Sequence, residues 1–488
     1  MSKNSFFFLL TFIFMNSSAF STKYYVDNSG DDLLDGSFYY PFETLQHAAD
    51  IVQPGDTVYV MGGIYTGFYL TTSGTATERI TFLAEQDVVI DTPNAITDDG
   101  INLEGASFIT IEGFLIENMP RAGIRSVNNE GVRLLYNDCS ENGVWGIFTG
   151  FSEGIEIGYN LCQYSIEEHG IYLSNSADNA HVHHNLCSYN NGAGIHINGD
   201  ESMGGDGVIS NLWIEKNTIN FNGVAGGSAI NCDGVQNSRI ENNLIYGNHA
   251  SGISLYQIDA AEPSHNNVIA NNTIMMPEDG RWGLNITNGS LNNVAFNNII
   301  LSKHSFRGSL TLDEVSMATF HAEANIYSDR ISVDDGSTVI SLSDWQSLAQ
   351  QDLSTVVADS SDLFDIPGYY YHPIIGSLAE NTGLDTFYGM DAPLSDILDE
   401  TRPWNGGYEI GCYELAYTSI AEEEAQAVVW TSIGANDMVK LIDTNGNLVY
   451  EGLKKDISLP SLADGLYIFL TQQSGEVVAG KWLHFNTK

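Results

Sequence analysis

Between residues 101 and 310 the chain alternates short runs of Ile, Val and Leu with polar turns, at a nearly constant interval. One phrase recurs: a small residue, then Gly-Ile or a close variant, then, about a dozen residues on, a hydrophobic pair and an asparagine. The Gly-Ile copies are Gly123-Ile124, Gly146-Ile147, Gly170-Ile171, Gly194-Ile195 and Gly252-Ile253, with Ala229-Ile230 and Gly283-Leu284 as degenerate copies. The asparagines are Asn137, Asn160, Asn185, Asn217, Asn243, Asn272 and Asn298, and the first Gly-Ile steps are 23, 24 and 24 residues. A fixed period of this size predicts a solenoid, in which a repeat buries its apolar face only by stacking on its neighbours. About nine coils fit in this stretch, each rising roughly 4.8 Å, the spacing of paired strands. The asparagines read as turn residues that tolerate left-handed backbone and bond their own main chain.

The flanks depart from this pattern. Residues 22–100 read as an N-terminal cap and first coils. There Leu45, Ala48, Ala49 and Val52 fall at i, i+3, i+4, i+7, predicting an amphipathic helix over 42–52 that Pro54-Gly55 stops. A helix over the open end would protect the first coil's strand edge. Residues 311–416 lose the period but keep strand-like segments, and read as the last coils and a C-terminal cap. A polar linker over 417–425 carries Glu422-Glu423-Glu424, and residues 426–488 read as a small separate β-domain, expected to be a sandwich. Its markers are Val439 to Asp443, a hairpin turn at Thr444-Asn445-Gly446-Asn447, Leu448 to Tyr450 and Gly465 to Phe469.

The ends and the charge narrow the class. Lys3, the apolar run Phe6 to Met15 and Ala19-Phe20-Ser21 read as a secretory signal peptide over 1–21. That run is too short to span a bilayer, so a secreted or cell-surface protein without a membrane span is expected, and a monomer. The formal net charge is −44, from 18 basic and 62 acidic residues. Nucleic acid, which needs basic patches, is excluded as a partner. An anionic polymer could bind only through local cations or a bound metal. Five cysteines are too few for a disulfide scaffold. Cys139, Cys162 and Cys187 each follow a repeat asparagine by two residues and should fill one interior line.

Two resemblances follow from these residues. The coil period, the Asn turn, the helical cap and the stretch Asp35-Gly36, Pro41-Phe42, Leu45, Pro54-Gly55-Asp56-Thr57 resemble the right-handed parallel β-helix proteins of the pectate-lyase-like superfamily. The resemblance implies an all-β fold with coils of about 23–26 residues and a secreted polysaccharide lyase or hydrolase. Leu448-Val449-Tyr450, Leu459-Pro460, Gly465-Leu466-Tyr467 and Gly480-Lys481 resemble the sorting domain of the type IX secretion route of Bacteroidetes. That resemblance implies the type IX machinery as a partner and a transport signal rather than a catalytic module.

In the superfamily the strand after the third one of a coil carries the substrate groove on its outer face, and the Gly-Ile strand corresponds to it. With Ile inward, alternation sends Arg125, Phe148, Tyr172, His196, Asn231, Ser254 and Asn285 outward, then Val127, Gly150, Ser174, Asn198, Asp233, Tyr256 and Thr287. The loops Gly199–Asn211 and Gln257–Asn267 are long, and unequal loops mark a binding face. Glu167, Glu168, His169 and Tyr172 precede the first long loop by one coil, and His196, Asn198 and Asp200 adjoin it.

Tyr172 and His196 can shuttle protons for a β-elimination on a uronate-containing glycan, with Arg125 as the cation and His169 and Glu168 as further catalytic candidates. Asn198, Asp233, Tyr256 and Trp213 are substrate-binding candidates. Trp213, on a second outward ladder with Arg133, Glu156, His181 and Arg239, could stack on a sugar or lie under the neighbouring long loop. The alternatives are hydrolysis by paired carboxylates, Asp200 with Asp233 or Glu168 with Asp200, and a non-catalytic glycan-binding or adhesion surface. Asp200, Glu201 and Asp206 form an acidic glycine-rich loop that could hold calcium. His181, His183 and His184 invite a zinc reading that no further ligand spacing completes.

Overall fold

The computed structural model describes residues 21–364, 371–404 and 406–415, and the strands Met438–Ile442, Leu448–Leu453, Gly465–Gln473 and Glu476–His484. Residues 1–20 of the signal peptide, the linker, the Thr444–Asn447 turn and Leu459-Pro460 lie outside the described residues. The chain divides into two units, Met1–Ala416 and Tyr417–Lys488.

The first unit is a parallel solenoid. One sheet of 12 strands runs from Lys23–Val26 to His321–Glu323, and one of 11 runs from Phe68–Leu70 to Ile331–Ser332. A third side is formed first by three strands between 63 and 116, then by eight between 161 and 357. Ile124, Ile147, Ile171, Ile195, Ile230, Ile253 and Leu284 stack in register inside. All are fully buried, and this continuous apolar column is the main stabilising term. Cys162 and Cys187 sit in register on the third side, and all five cysteines are free and buried.

The repeat asparagines depart in part from expectation. The left-handed residue of each turn is the one before: Tyr136, Tyr159, His184, Lys216, Asn242, Asn271 and Asn297 have φ between 52° and 58°. The asparagine joins neighbouring coils, and Asn243, Asn272 and Asn298 also donate, as expected, to the carbonyl two residues earlier in their own turn. Asn185 Oδ1 accepts from the backbone N–H and the Nδ2 of Asn160, at 2.9 and 3.0 Å. Its own Nδ2 donates to Ile157 O and to Asn217 Oδ1, at 2.8 and 3.0 Å. The pattern repeats from Asn137 to Asn325. It satisfies buried turn amides that would otherwise cost about 1–3 kcal/mol each.

The N-terminal helix is Leu45–Ile51, shorter than the expected span because Thr44 caps it by accepting from the His47 N–H. At the other end the chain turns back along the ridge of left-handed residues. Asn297 donates to Leu384 O, Asn271 to Glu409 O and Asn242 to Ser395 O. Lys216 and His184 reach Asp399 at 2.5 and 3.2 Å.

The second unit, among its described residues, is one antiparallel four-stranded sheet in the order 448–453, 438–442, 465–473, 476–484, where a sandwich was expected. No helix among the described residues is long and apolar enough to cross a membrane.

Candidate functional site

The Gly-Ile strands build one wall. The glycines allow it: a Cβ on Gly170 would stand 2.7 Å from Asn190 Nδ2 and 2.9 Å from Gly194 O, so any side chain would force the coils apart. Register then stacks Arg125, Phe148, Tyr172, His196, Asn231, Ser254 and Asn285 on its outer face, as alternation requires.

Three rings meet at its centre. Tyr172 and His196 have centroids 4.7 Å apart, His169 lies 4.5 Å from His196, and His169 meets Tyr172 edge-on at 5.3 Å. His169 therefore turns onto the wall. Phe148 and Trp145 close the N-terminal side, at 5.3 and 5.9 Å from Tyr172. Glu168, partly exposed, accepts from Trp145 Nε1 at 2.8 Å and lies 3.7 Å from His169 Nε2.

The ring nitrogens are committed. His169 Nδ1 accepts from the Ala193 N–H at 2.9 Å, so its proton sits on Nε2. His196 Nδ1 faces Asn231 Nδ2 at 2.9 Å, and the same amide donates to Tyr256 Oη at 2.6 Å. With the amide so oriented the His196 proton is on Nε2, and reversing the amide frees Nε2 as a base. Burial holds His196 down at about 4, and burial with the neighbouring His196 holds His169 well below its usual range. Burial raises the Tyr172 and Tyr256 phenols. At neutral pH the site is two uncharged imidazoles and two protonated phenols, an array of donors with little fixed charge.

Other predicted residues fall elsewhere. Arg125 forms an ion pair with Glu104 and lies over the ring of Phe148 at 5.8 Å, which separates it from Tyr172. It is not free to steady charge at the rings. Asp233 is buried, and its carboxylate accepts from the N–H groups of Ile258 and Asp259 at 2.8 Å each and of Ala260 at 3.4 Å. It anchors the second long loop rather than facing substrate. Asn198 donates to Tyr172 Oη at 3.4 Å and receives the Asp200 N–H, tying the wall to the first long loop.

Asp200 accepts from Ser202, Asp206 from Ser176 and Val208, and Glu201 is exposed. Among the described residues no group of three or more His, Cys, Asp or Glu is placed to hold a metal ion. Trp213 lies on the 12-stranded sheet, a different wall. It is 44% exposed rather than covered by the loop, stacks on His181 at 5.0 Å and donates to Glu241. His181, His183 and His184 face Glu215, Glu156 and Asp399 on that side.

Sequence reasoning missed the continuation of the groove. Beyond His196 the wall opens into a cavity of about 520 Å³ lined by Asn231, Tyr256, Asn285, Arg281, Arg307 and Thr311, among others. Its signal was present only as the polar ladder Asn231, Ser254, Asn285.

This architecture is the right-handed parallel β-helix. Residues 24–207 match the family model described as Pel9A-like, right handed beta helix region, and residues 198–323 match one described as right handed beta helix region. The crystal structure of pectate lyase Pel9A aligns at 14% identity over 81% of this chain and 97% of that one, with a TM-score of 0.53. The complex structure of XylC with xylose aligns at 10% identity over 81% and 98%, with a TM-score of 0.51. A rhamnogalacturonan lyase aligns at 16% identity over 62% and 87%, with a TM-score of 0.45. At these identities the shared property is the fold. No curated protein matches the sequence.

Proposed function

We propose that the protein cleaves a uronate-containing extracellular polysaccharide by β-elimination on the Gly-Ile wall. The observation that carries the reading is the pairing of Tyr172 and His196, centroids 4.7 Å apart, on a wall that opens into a polar cavity. In the reaction the Asn231 amide is reversed, so that its oxygen accepts from His196 Nδ1–H, and His196 Nε2 takes the proton from the carbon beside the uronate carboxylate. Those electrons form the carbon–carbon double bond, the bond to the leaving oxygen breaks, and Tyr172 gives that oxygen its proton. A substrate carboxylate against the rings raises the imidazole pKa towards the working range. The protonated phenol suits Tyr172 to the acid role, and the Asn231 amide selects which His196 nitrogen is free. The engagement of Asp200 and Asp233 with loop donors supports elimination over hydrolysis by paired carboxylates.

In the same reading the protein is exported. The N-terminal apolar run is its signal and the C-terminal unit its type IX sorting domain.

The test is incubation with a panel of acidic and neutral polysaccharides, with and without a chelator, following absorbance of unsaturated uronate beside reducing ends. Both signals mean a lyase, reducing ends alone a hydrolase, and neither with retention on a glycan column a binding protein. Tyr172→Phe and His196→Ala each abolish turnover while the stack stays folded. A fully active His196→Ala protein overturns the mechanism.

A further inference from the structure

The chain is strongly acidic, and its cations are mostly neutralised in place. Arg121 pairs with Asp99, Arg125 with Glu104, Arg133 with Glu156, Arg239 with Glu241, Lys216 with Asp399 and the buried Arg402 with Glu414. Arg79 and Arg330 are held by main-chain carbonyls. Arg281 and Arg307 differ. Both line the cavity beyond His196, and among the described residues neither side chain has an ion-pair or hydrogen-bond partner. Asp335 shares the lining but lies beyond pairing distance of both.

A second observation points the same way. Thr311 is 1% exposed, lines this cavity, and its Oγ1 has no partner among the described residues. A buried hydroxyl left unpaired is costly, and a ligand oxygen would relieve that cost. Tyr256 and Asn285 add an O–H and an amide to the same lining. Two unpaired guanidinium groups with neutral donors in the same lining suit a planar or tetrahedral anion, which arginine binds through forked N–H pairs.

We infer that Arg281 and Arg307 form an anion-reading subsite that takes the charged group of a sugar unit away from the cleavage point. The inference rests on the polysaccharide reading but not on its chemistry. Asn285 stands three coils beyond His196 along the wall, roughly 14 Å at the spacing of paired strands. One coil rises by about the length of one pyranose unit, so the subsite reads a residue two to three units away. It selects a polyanionic chain of minimum length, and it supplies the local positive field the acidic chain otherwise lacks. The anionic group is a carboxylate or a sulfate ester; both present oxygens to the same fork.

The experiment is affinity electrophoresis of the full chain through gels containing polygalacturonate, chondroitin sulfate or neutral xylan, at low and high salt. The wild type is retarded by at least one acidic polymer, and added salt weakens that retardation because screening acts on exposed charges. The double variant Arg281→Gln/Arg307→Gln needs about tenfold or more acidic polymer for equal retardation, with neutral xylan retardation and melting temperature unchanged. The responding polymer identifies the anion. Equal retardation of variant and wild type, or a wild type held by neither acidic polymer, overturns the subsite. A wild-type lyase assay that fails while the arginine effect stands removes the elimination chemistry and leaves the subsite.

Discussion

Two walls of one solenoid carry histidines and aromatics at the same coil spacing, yet they hold opposite electrostatics. On the 12-stranded sheet, His181 lies 2.9 Å from Glu215, His183 3.5 Å from Glu156 and His184 3.2 Å from Asp399, with Arg133, Lys216 and Arg239 pairing the same or adjacent carboxylates. On the Gly-Ile sheet, His169 and His196 face rings and amides, and the nearest carboxylate to either is 3.7 Å away. On the 12-stranded sheet His181 and His184 are hydrogen-bonded to carboxylates, and the buried His183 Nε2 has Glu156 beside it without a hydrogen bond. A neutral histidine among donors responds when a substrate brings charge. The distinction lies in the partners, not in the residue type.

The largest effect that can break this contrast is in turnover. His196→Ala is expected to lower the rate on a responsive acidic polysaccharide by about 10²–10⁴-fold, the usual range for a lost proton-transfer group. His181→Ala should leave it within about twofold. Initial rates of double-bond absorbance measure both. Equal losses from the two variants would mean that the walls do not divide the labour this way.

Next in size is the response to acid. The unfolded chain takes up a proton at His196 near pH 6.5, while burial in the folded chain holds it off until about pH 4. Between these values the unfolded state binds more protons, so stability rises with pH, is complete above 6.5 and is lost on acidification. The span corresponds to about 3 kcal/mol at most, at 1.36 kcal/mol per pH unit. His169, also depressed, adds in the same direction. Melting temperatures from pH 7 to 4.5 should therefore fall less steeply for His196→Gln than for the wild type. Parallel curves for wild type and His196→Gln would show that His196 titrates normally. The acid limb of kcat/KM for free enzyme should likewise lie well below pH 6.5.

The groove wall was legible in the sequence because register is fixed once coils stack. The order Phe148, Tyr172, His196, Asn231 follows from a period and an alternation, and both survive in the pairing. What stayed hidden was who sits beside whom. Glu104 neutralises Arg125 from one coil earlier, before the first Gly-Ile copy, where no phrase marks the frame. Asp233 looks like a groove carboxylate until the second long loop folds back to give it three N–H groups. Arg281 and Arg307 precede the degenerate copy Gly283-Leu284 and the aperiodic Leu310, and their significance is the absence of partners, which no pattern encodes. The repeat asparagines were visible, but their bonds run mainly between coils, so a turn-by-turn reading assigned them the conformation their predecessors hold.

The smallest effect tests the far wall directly. Trp213 is the most glycan-like feature of the sequence, an aromatic on an outward ladder, and it is 44% exposed. One face is taken by His181 at 5.0 Å and 20°, and the indole N–H by Glu241 at 2.8 Å. Trp213→Ala should therefore cost stability of about 1 kcal/mol from the lost stack and hydrogen bond. It should not change turnover or retardation by acidic polymer. A denaturant midpoint measures the first and the two functional assays the second. A Trp213→Ala protein of unchanged stability that loses polymer retardation would move substrate onto the 12-stranded sheet, and with it the boundary between the two walls.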